Sequence, residues 1–286
     1  MMPLIVHPQT TQQLQSFTAR PGHALLIHGP AGTGKSALAQ QLVATILNKP
    51  LAQLADYPYL MQLDAPAISA AAIENIRQLE HFLSLRVPAT GEITRLVIIH
   101  DAQALSIQAQ NALLKTLEEP PQATLIIMTA PSPASLLPTI ASRLQAISVV
   151  RPSQDELTTY FTADKHSASA VDQAYAISGG LPGLMYALLN NNDHPLKPAT
   201  ETARSLLQQT VYERLLTVDE LAKQKPHAIN TLFILQQMAH ARLQSTTGSQ
   251  FKRWQHILES CYEASEQLSN SGQPKLVLDA LMLKLN

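Results

Sequence analysis

The sequence predicts an α/β domain with a parallel sheet, followed by a small helical domain and an all-α C-terminal domain. Three observations carry this. Short apolar runs at Ala24–Ile27, Leu96–Ile99 and Leu125–Met128 are bounded by polar, Gly or Pro residues, as strands buried on both faces are. Stretches with apolar residues at helical spacing lie between them, and strand–helix alternation means α/β. After residue 150 only helical periodicity is left.

Each element has its own signal. Ser36–Leu47 carries Leu38, Leu42, Val43, Ile46 and Leu47 at helical spacing, and 70–85 does the same with Ile73, Ile76, Leu79 and Leu83. Ile107–Glu119 repeats the pattern with Leu113, Leu114 and Leu117, and Pro120-Pro121 stops it. A further β-like run, Ala146–Val150, ends near Pro152. Acids at Asp155 and Glu156 open the next helix, and 171–177 is closed by Gly179-Gly180. Leu181–Leu189 is another helix. The polar stretch 190–200, with two prolines, reads as a linker. Helices are then expected over roughly 201–222, 226–244, 250–269 and 274–286, with breaks at Pro226, 246–249 and Pro274. The expected domains are therefore 1–150, 151–192 and 200–286.

Composition narrows the function. With 20 Lys and Arg against 21 Asp and Glu, the chain is no dedicated polybasic binder of nucleic acid or membrane, although a neutral total can hide a basic stripe. One cysteine, Cys261, permits neither an internal disulfide nor a Cys-based zinc site, and fits a reducing, cytoplasmic compartment. The start MMPLIVHPQT lacks the pattern of a secretory signal, and the apolar runs are too short to span a bilayer. The ten histidines show no metal-binding spacing. Trp254, the single tryptophan, is better explained by amphipathic helix packing than by base stacking.

Gly29-Pro30-Ala31-Gly32-Thr33-Gly34-Lys35-Ser36 matches G-x-x-x-x-G-K-[ST], after an expected strand and before an expected helix. Glycines let backbone N–H groups turn inward around a polyphosphate, and the helix N-terminus adds partial positive charge. Lys35 can reach the β- and γ-phosphates and the Ser36 hydroxyl can bind Mg²⁺, so the loop predicts ATP or ADP with Mg²⁺. The bland alternative is a Gly-rich turn with a chance lysine.

A P-loop protein that hydrolyses its nucleotide needs acids at the end of a later strand. Here the run Leu96–Ile99 ends in His100-Asp101-Ala102-Gln103, with one carboxylate. His100 is a poor ligand for Mg²⁺, which prefers oxygen. Asp101 can help hold the ion or polarise water, or simply cap the next helix. The expectation is binding without efficient turnover.

The segment Asn111–Pro121, NALLKTLEEPP, resembles the signature helix of the bacterial DNA polymerase III clamp-loader AAA+ subunits. That family contains γ/τ motor subunits and delta-prime subunits. Ile76-Arg77-Gln78-Leu79 resembles its I-R-x-L helix, and Ser142-Arg143-Leu144 its S-R-C motif with Leu144 in place of cysteine. The resemblance is strong over 20–185 and architectural over 200–286. It implies an AAA+ domain, a helical lid and a collar for pentamer assembly.

It also implies roles. Gly29, Gly32, Thr33, Gly34, Lys35 and Ser36 fall on the nucleotide loop, and Thr129 on or beside the sensor-1 position. His100 falls where a motor has its Walker B aspartate, and Asp101 where it has the glutamate. Arg143 falls on the arginine finger that acts on a neighbour's ATP; without the resemblance it reads as a surface or interdomain ion-pair arginine. Gly183 falls where a motor carries its sensor-2 arginine. The four-cysteine zinc module would lie between roughly 48 and 65, where no cysteine occurs, so zinc is not implied. His100 and Gly183 argue against a motor, and the resemblance then implies a delta-prime-type subunit. Its implied partners are the γ/τ and delta subunits and, through the complex, the sliding clamp and primer-template DNA, with no membrane. An ATP-hydrolysing γ/τ-type motor and a free-standing P-loop ATPase are the competing readings.

Glu118 and Glu119 sit in a helix's last turn, where the macrodipole disfavours acids. The misfit points to pairing with basic groups elsewhere, across a subunit interface among the options, or to two solvated acids tolerating a small cost.

Overall fold

The computed structural model describes residues 5–65, 78–79, 81–87, 93–194, 196–269 and 272–285. Part of the stretch 70–85 expected to be a helix lies outside the described residues, including Ile73, Ile76 and Arg77, as does Asn286. The chain divides into two compact units. One comprises 6–151; the other comprises 152–286 with the first five residues.

The first unit is a five-stranded, all-parallel sheet. Its strands are β1 (Ala24–His28), β2 (Leu60–Asp64), β3 (Arg95–His100), β4 (Thr124–Ala130) and β5 (Gln145–Ser148), in spatial order β2-β3-β4-β1-β5. Among the helices around it are α1 (Pro8–Ala19), α2 (Lys35–Ile46), α3 (Ile107–Glu118) and the short α4 (Pro138–Ala141). The three expected apolar strands are present, extended by one to three residues. β3 and β4 are buried along their whole length, which is why their sequences do not alternate. The fourth expected strand stops at Ser148, two residues short of Val150. The Val150 N–H leaves the ladder and donates to Thr10 Oγ1 on α1 at 3.0 Å.

Two elements carry too weak a sequence signal to be expected. β2 is an edge strand, half-buried on one face and exposed on the other, and too polar to register as an apolar run. It lies at the C-terminal end of the 48–65 stretch where a zinc module would lie. α1 lacks acids in its first turn and has a weakly apolar face. Its His7 ring caps it by accepting from Gln9 N–H. Arg95 is equally silent in the sequence. It is buried at the start of β3 and donates to the carbonyls of Leu83 and Leu85, tying that helical segment to the sheet.

The second unit is all helical: α5 (Gln154–Ala163), α6 (Ala168–Ser178), α7 (Pro182–Leu189), α8 (Lys197–Gln208), α9 (Val211–Lys223), α10 (Lys225–Ser245), α11 (Gly248–Ser269) and α12 (Pro274–Lys284). The single helix expected over 201–222 is two. Gln209 is extended, and Thr210 starts α9 with a capping box, its hydroxyl accepting from Glu213 N–H while Glu213 accepts from Thr210 N–H. α8 begins at Lys197, inside the stretch expected to be a linker. Leu181 and Leu184 join one apolar core with α8 to α12, while Leu157, Phe161, Val171, Ala174 and Met185 form a second core of their own within 152–192. Trp254 packs half-buried against that core, as amphipathic packing requires. Cys261 is buried in it, and burial pushes its thiol pKa up to about 12.

Candidate functional site

The phosphate loop runs from the end of β1 to the start of α2. Gly29 N–H donates to Ala130 O at 3.2 Å, and Val149 N–H donates to His28 O at 2.7 Å. The loop therefore leaves the sheet between β4 and β5. Gly29 has no room for a side chain: a Cβ there would sit 2.8 Å from Val149 O. Gly32 and Gly34 adopt φ of 74° and 82°, and Gly34 is the N-cap of α2. This left-handed backbone is what glycine supplies without strain.

Lys35 is the first residue of α2 and is buried. Its ammonium donates to Gly29 O and Pro30 O, both at 2.9 Å, and Thr33 Oγ1 donates to Pro30 O at 2.8 Å. Burial pushes the Lys35 pKa down; the charge of Asp101 opposes this and that of Arg151 adds to it. Thus Lys35, Asp101 and Arg151 share one electrostatic neighbourhood. Arg151 has no sequence signal, because it lies 116 positions beyond Lys35 and only the pairing of β5 with β1 brings it near. Ser36 is exposed in the first turn of α2.

The tips of β3 and β4 meet beside this loop. Asp101 has a left-handed backbone, φ 52° and ψ 47°, and is exposed. Its N–H donates to Thr129 Oγ1 at 3.0 Å, and Thr129 is wholly buried in β4. Asp101 precedes a short 3₁₀ turn, but its carboxylate makes no capping bond there. His100, at 8% exposure, lies against Gln62 of β2, with Nε2 3.4 Å from Gln62 Oε1. That same oxygen accepts from Gln40 Nε2 of α2 at 3.0 Å. His100 Nδ1 is buried with no partner among the described residues. One exposed carboxylate thus stands at the end of β3, next to a histidine engaged in the interior.

Arg143 follows α4. Its guanidinium donates through Nη1 to Thr139 O at 2.7 Å and through Nη2 to Glu118 Oε1 at 2.5 Å. Glu118 therefore finds a basic partner within its own unit. The side chains are 34% and 50% exposed. An exposed pair of this kind contributes about 0.2–1 kcal/mol, while an acid in a helix's last turn costs about 0.3–1 kcal/mol. The two roughly cancel. A second link joins the same elements: buried Gln110 of α3 accepts from Leu137 N–H, at the start of α4, at 2.9 Å. Gly183 lies in the first turn of α7, in the other unit.

Residues 6–153, just over half of the chain, match the family described as DNA polymerase III, delta subunit. The chain belongs to this family. It is 30% identical over 181 residues to DNA polymerase III subunit delta' of Pseudomonas aeruginosa, covering 57% of this chain and 55% of that protein. It is 28% identical over 205 residues to the Escherichia coli protein of the same name, covering 66% and 61%. The match thus spans between a half and two thirds of these relatives' length. Among solved structures, the RuvB Holliday junction branch migration motor of Thermotoga maritima aligns with a TM-score of 0.51 at 16% identity, covering 96% of this chain and 90% of that one. That likeness shows the fold alone. It fits the AAA+ P-loop architecture and helical C-terminal region expected from the sequence. Among the described residues, no helix of this family member is long and apolar enough to cross a membrane.

Proposed function

We propose that the chain is a delta-prime-type, non-motor subunit of a clamp loader. In this reading it binds Mg-ATP or Mg-ADP with little turnover and lends Arg143 to the ATP site of a neighbouring γ/τ subunit. The observation that carries it is the end of β3, where a complete phosphate loop faces a single carboxylate, Asp101, and a histidine buried against Gln62.

The donor set fits a Mg²⁺ ion that keeps much of its water, because Mg²⁺ is bound through one or two carboxylates plus phosphate oxygens. Ser36 Oγ and the Asp101 carboxylate are the exposed oxygens that would hold it. When bound, the ion neutralises phosphate charge. Lys35 exchanges its bonds to Gly29 O and Pro30 O for bonds to phosphate oxygens, and the N–H groups of Gly32 to Lys35 turn toward the same charge. Thr129 fixes the Asp101 backbone through its hydroxyl. With Asp101 occupied near the ion, the end of β3 offers no second acid to orient an attacking water, so turnover is slow. Residues 151–192 act as the lid and 200–286 as the collar that joins the γ/τ and delta subunits. The sliding clamp and primer-template DNA are engaged through the assembly, in the cytoplasm and away from membranes. A γ/τ-type motor is the second reading, favoured by the complete loop.

The test is steady-state ATPase of the isolated chain and of the assembly reconstituted with γ/τ and delta subunits. The isolated chain is expected to bind Mg-ATP by calorimetry and turn it over negligibly. Arg143→Ala should lower the clamp- and DNA-stimulated activity of the assembly partially, since only one of its sites faces this subunit. Arg143→Lys should rescue poorly, because a point charge does not reproduce the planar fork. Substantial turnover by the isolated chain that Lys35→Ala abolishes would establish the motor reading instead.

A further inference from the structure

We propose that Glu118 is a positioning residue for Arg143: together with the Thr139 carbonyl it grips the guanidinium from two sides and presents it, pre-set, to a phosphate outside the chain. The inference rests on the reading of Arg143 as a residue that acts in trans.

The geometry is specific. Arginine carries five N–H donors in a rigid fork. One is given to Thr139 O at 2.7 Å and one to Glu118 Oε1 at 2.5 Å. The side chain remains 34% exposed, so the rest of the fork is within reach of an incoming oxygen anion. Both acceptors stand on fixed supports. Thr139 lies in α4, whose Ile140 is 1% exposed. Glu118 is the last residue of α3, one position after Leu117, also 1% exposed. Leu113, Leu117, Leu136, Ile140 and Leu144 belong to one apolar core, and Gln110 bonds α3 to Leu137 N–H. The signature helix therefore holds the Arg143 segment at two points, a buried amide near its start and an exposed carboxylate at its end.

The placement of Glu118 has little justification in stability, since its helix-end cost and its exposed ion pair roughly cancel. Orientation is what the pair supplies. A free arginine must be ordered at the moment it meets phosphate, and a gripped one has been ordered in advance. A glutamine at 118 keeps an oxygen acceptor at the same reach, so it retains much of the grip. An alanine removes it.

The experiment uses the reconstituted assembly with full-length chains carrying Glu118→Ala, Glu118→Gln, Arg143→Ala or Glu118→Ala with Arg143→Ala. Clamp- and DNA-stimulated ATPase is measured across ATP concentration. Glu118→Ala should lower kcat toward the Arg143→Ala level, on the order of threefold, with the ATP KM unchanged. Glu118→Gln should keep most of the activity. The double variant should be no worse than Arg143→Ala alone, because the two residues act as a unit. Matching thermal melts confirm folding, and Glu118→Gln carries the test if the alanine variant is unstable: it must then stand between the unsubstituted chain and Arg143→Ala. If Arg143→Ala lowers activity and Glu118→Ala does not, the positioning role is rejected while the trans reading of Arg143 stands. If Arg143→Ala has no effect, that reading falls and this inference with it. Additive losses in the double variant would assign Glu118 a separate role and also reject the proposal.

Discussion

The phosphate loop and the turn after α4 each hold a cation on backbone carbonyls of their own segment, and they do it in opposite ways. Lys35 is buried, bonded to Gly29 O and Pro30 O, and its charge is opposed by burial and by Arg151. Arg143 is part-exposed, bonded to Thr139 O and backed by a carboxylate. Lysine suits the first position because an ammonium is a compact charge that can change partners within a small cradle. Arginine suits the second because two donors can be spent on holding it while others stay available. On the proposed function, the buried cation would receive a ligand into the chain and the part-exposed one would be offered out of it.

The largest effect is expected from Lys35→Ala. Hydrogen bonds to charged groups contribute about 1.5–3 kcal/mol, so Mg-ATP affinity should fall roughly 10- to 100-fold. Calorimetric titration measures it, and unchanged affinity would remove Lys35 from the phosphate site. Arg143→Ala, by contrast, should leave binding to this chain intact.

Gly29→Ala comes next. Its Cβ would sit 2.8 Å from Val149 O, a backbone atom that cannot swing away. Overpacking of this kind costs about 1–3 kcal/mol, read as a lower urea midpoint. No such cost is expected for Ser142→Ala beside Arg143, because that hydroxyl is exposed and donates to Thr139 O within its own turn. Equal stability of Gly29→Ala and the unsubstituted chain would show that β5 can yield at Val149.

The smallest effect concerns His28, which precedes the loop. Burial first, and the Lys35 charge second, hold its pKa below the ordinary 6.5. The unfolded chain therefore takes up this proton first as pH falls. The contribution to stability is full above about 6.5 and is lost as pH drops through the lowered folded value. Lys35→Met should raise the His28 pKa without restoring it fully, since burial remains. An NMR titration of the His28 ring checks this; no movement would mean that the two groups do not sense each other.

How much of this is legible in the sequence differs between the same two regions. The loop is local: Gly29 to Ser36 lie in eight consecutive positions, and the apolar runs of β1, β3 and β4 betray their double-sided burial. The Arg143 grip is not local. Glu118 and Arg143 are 25 positions apart on different elements, and the only trace is an acid placed against the helix dipole. Edge strand β2 is invisible for a related reason: one exposed face gives it no apolar run. The division of 201–222 into α8 and α9 hinges on a capping box, Thr210 with Glu213, that the helical periodicity overshadows.

The sheet order also sets a timetable for the chain as it is made. β1 is flanked by β4 and β5, so Ala24 pairs with Ile126 and Leu25 with Gln145. The strand that carries the phosphate loop thus emerges early and waits for neighbours about 100 to 120 positions later in the sequence. Such distant pairings are slow to form, because loop-closure entropy must be met before the contacts repay it. Gly29 finds its packing partner only when Val149 has been synthesised. A nascent chain that ends before β5 therefore carries every residue of the loop without the β5 wall beside it, and a ribosome stalled there should display a loop that still lacks its packing partner.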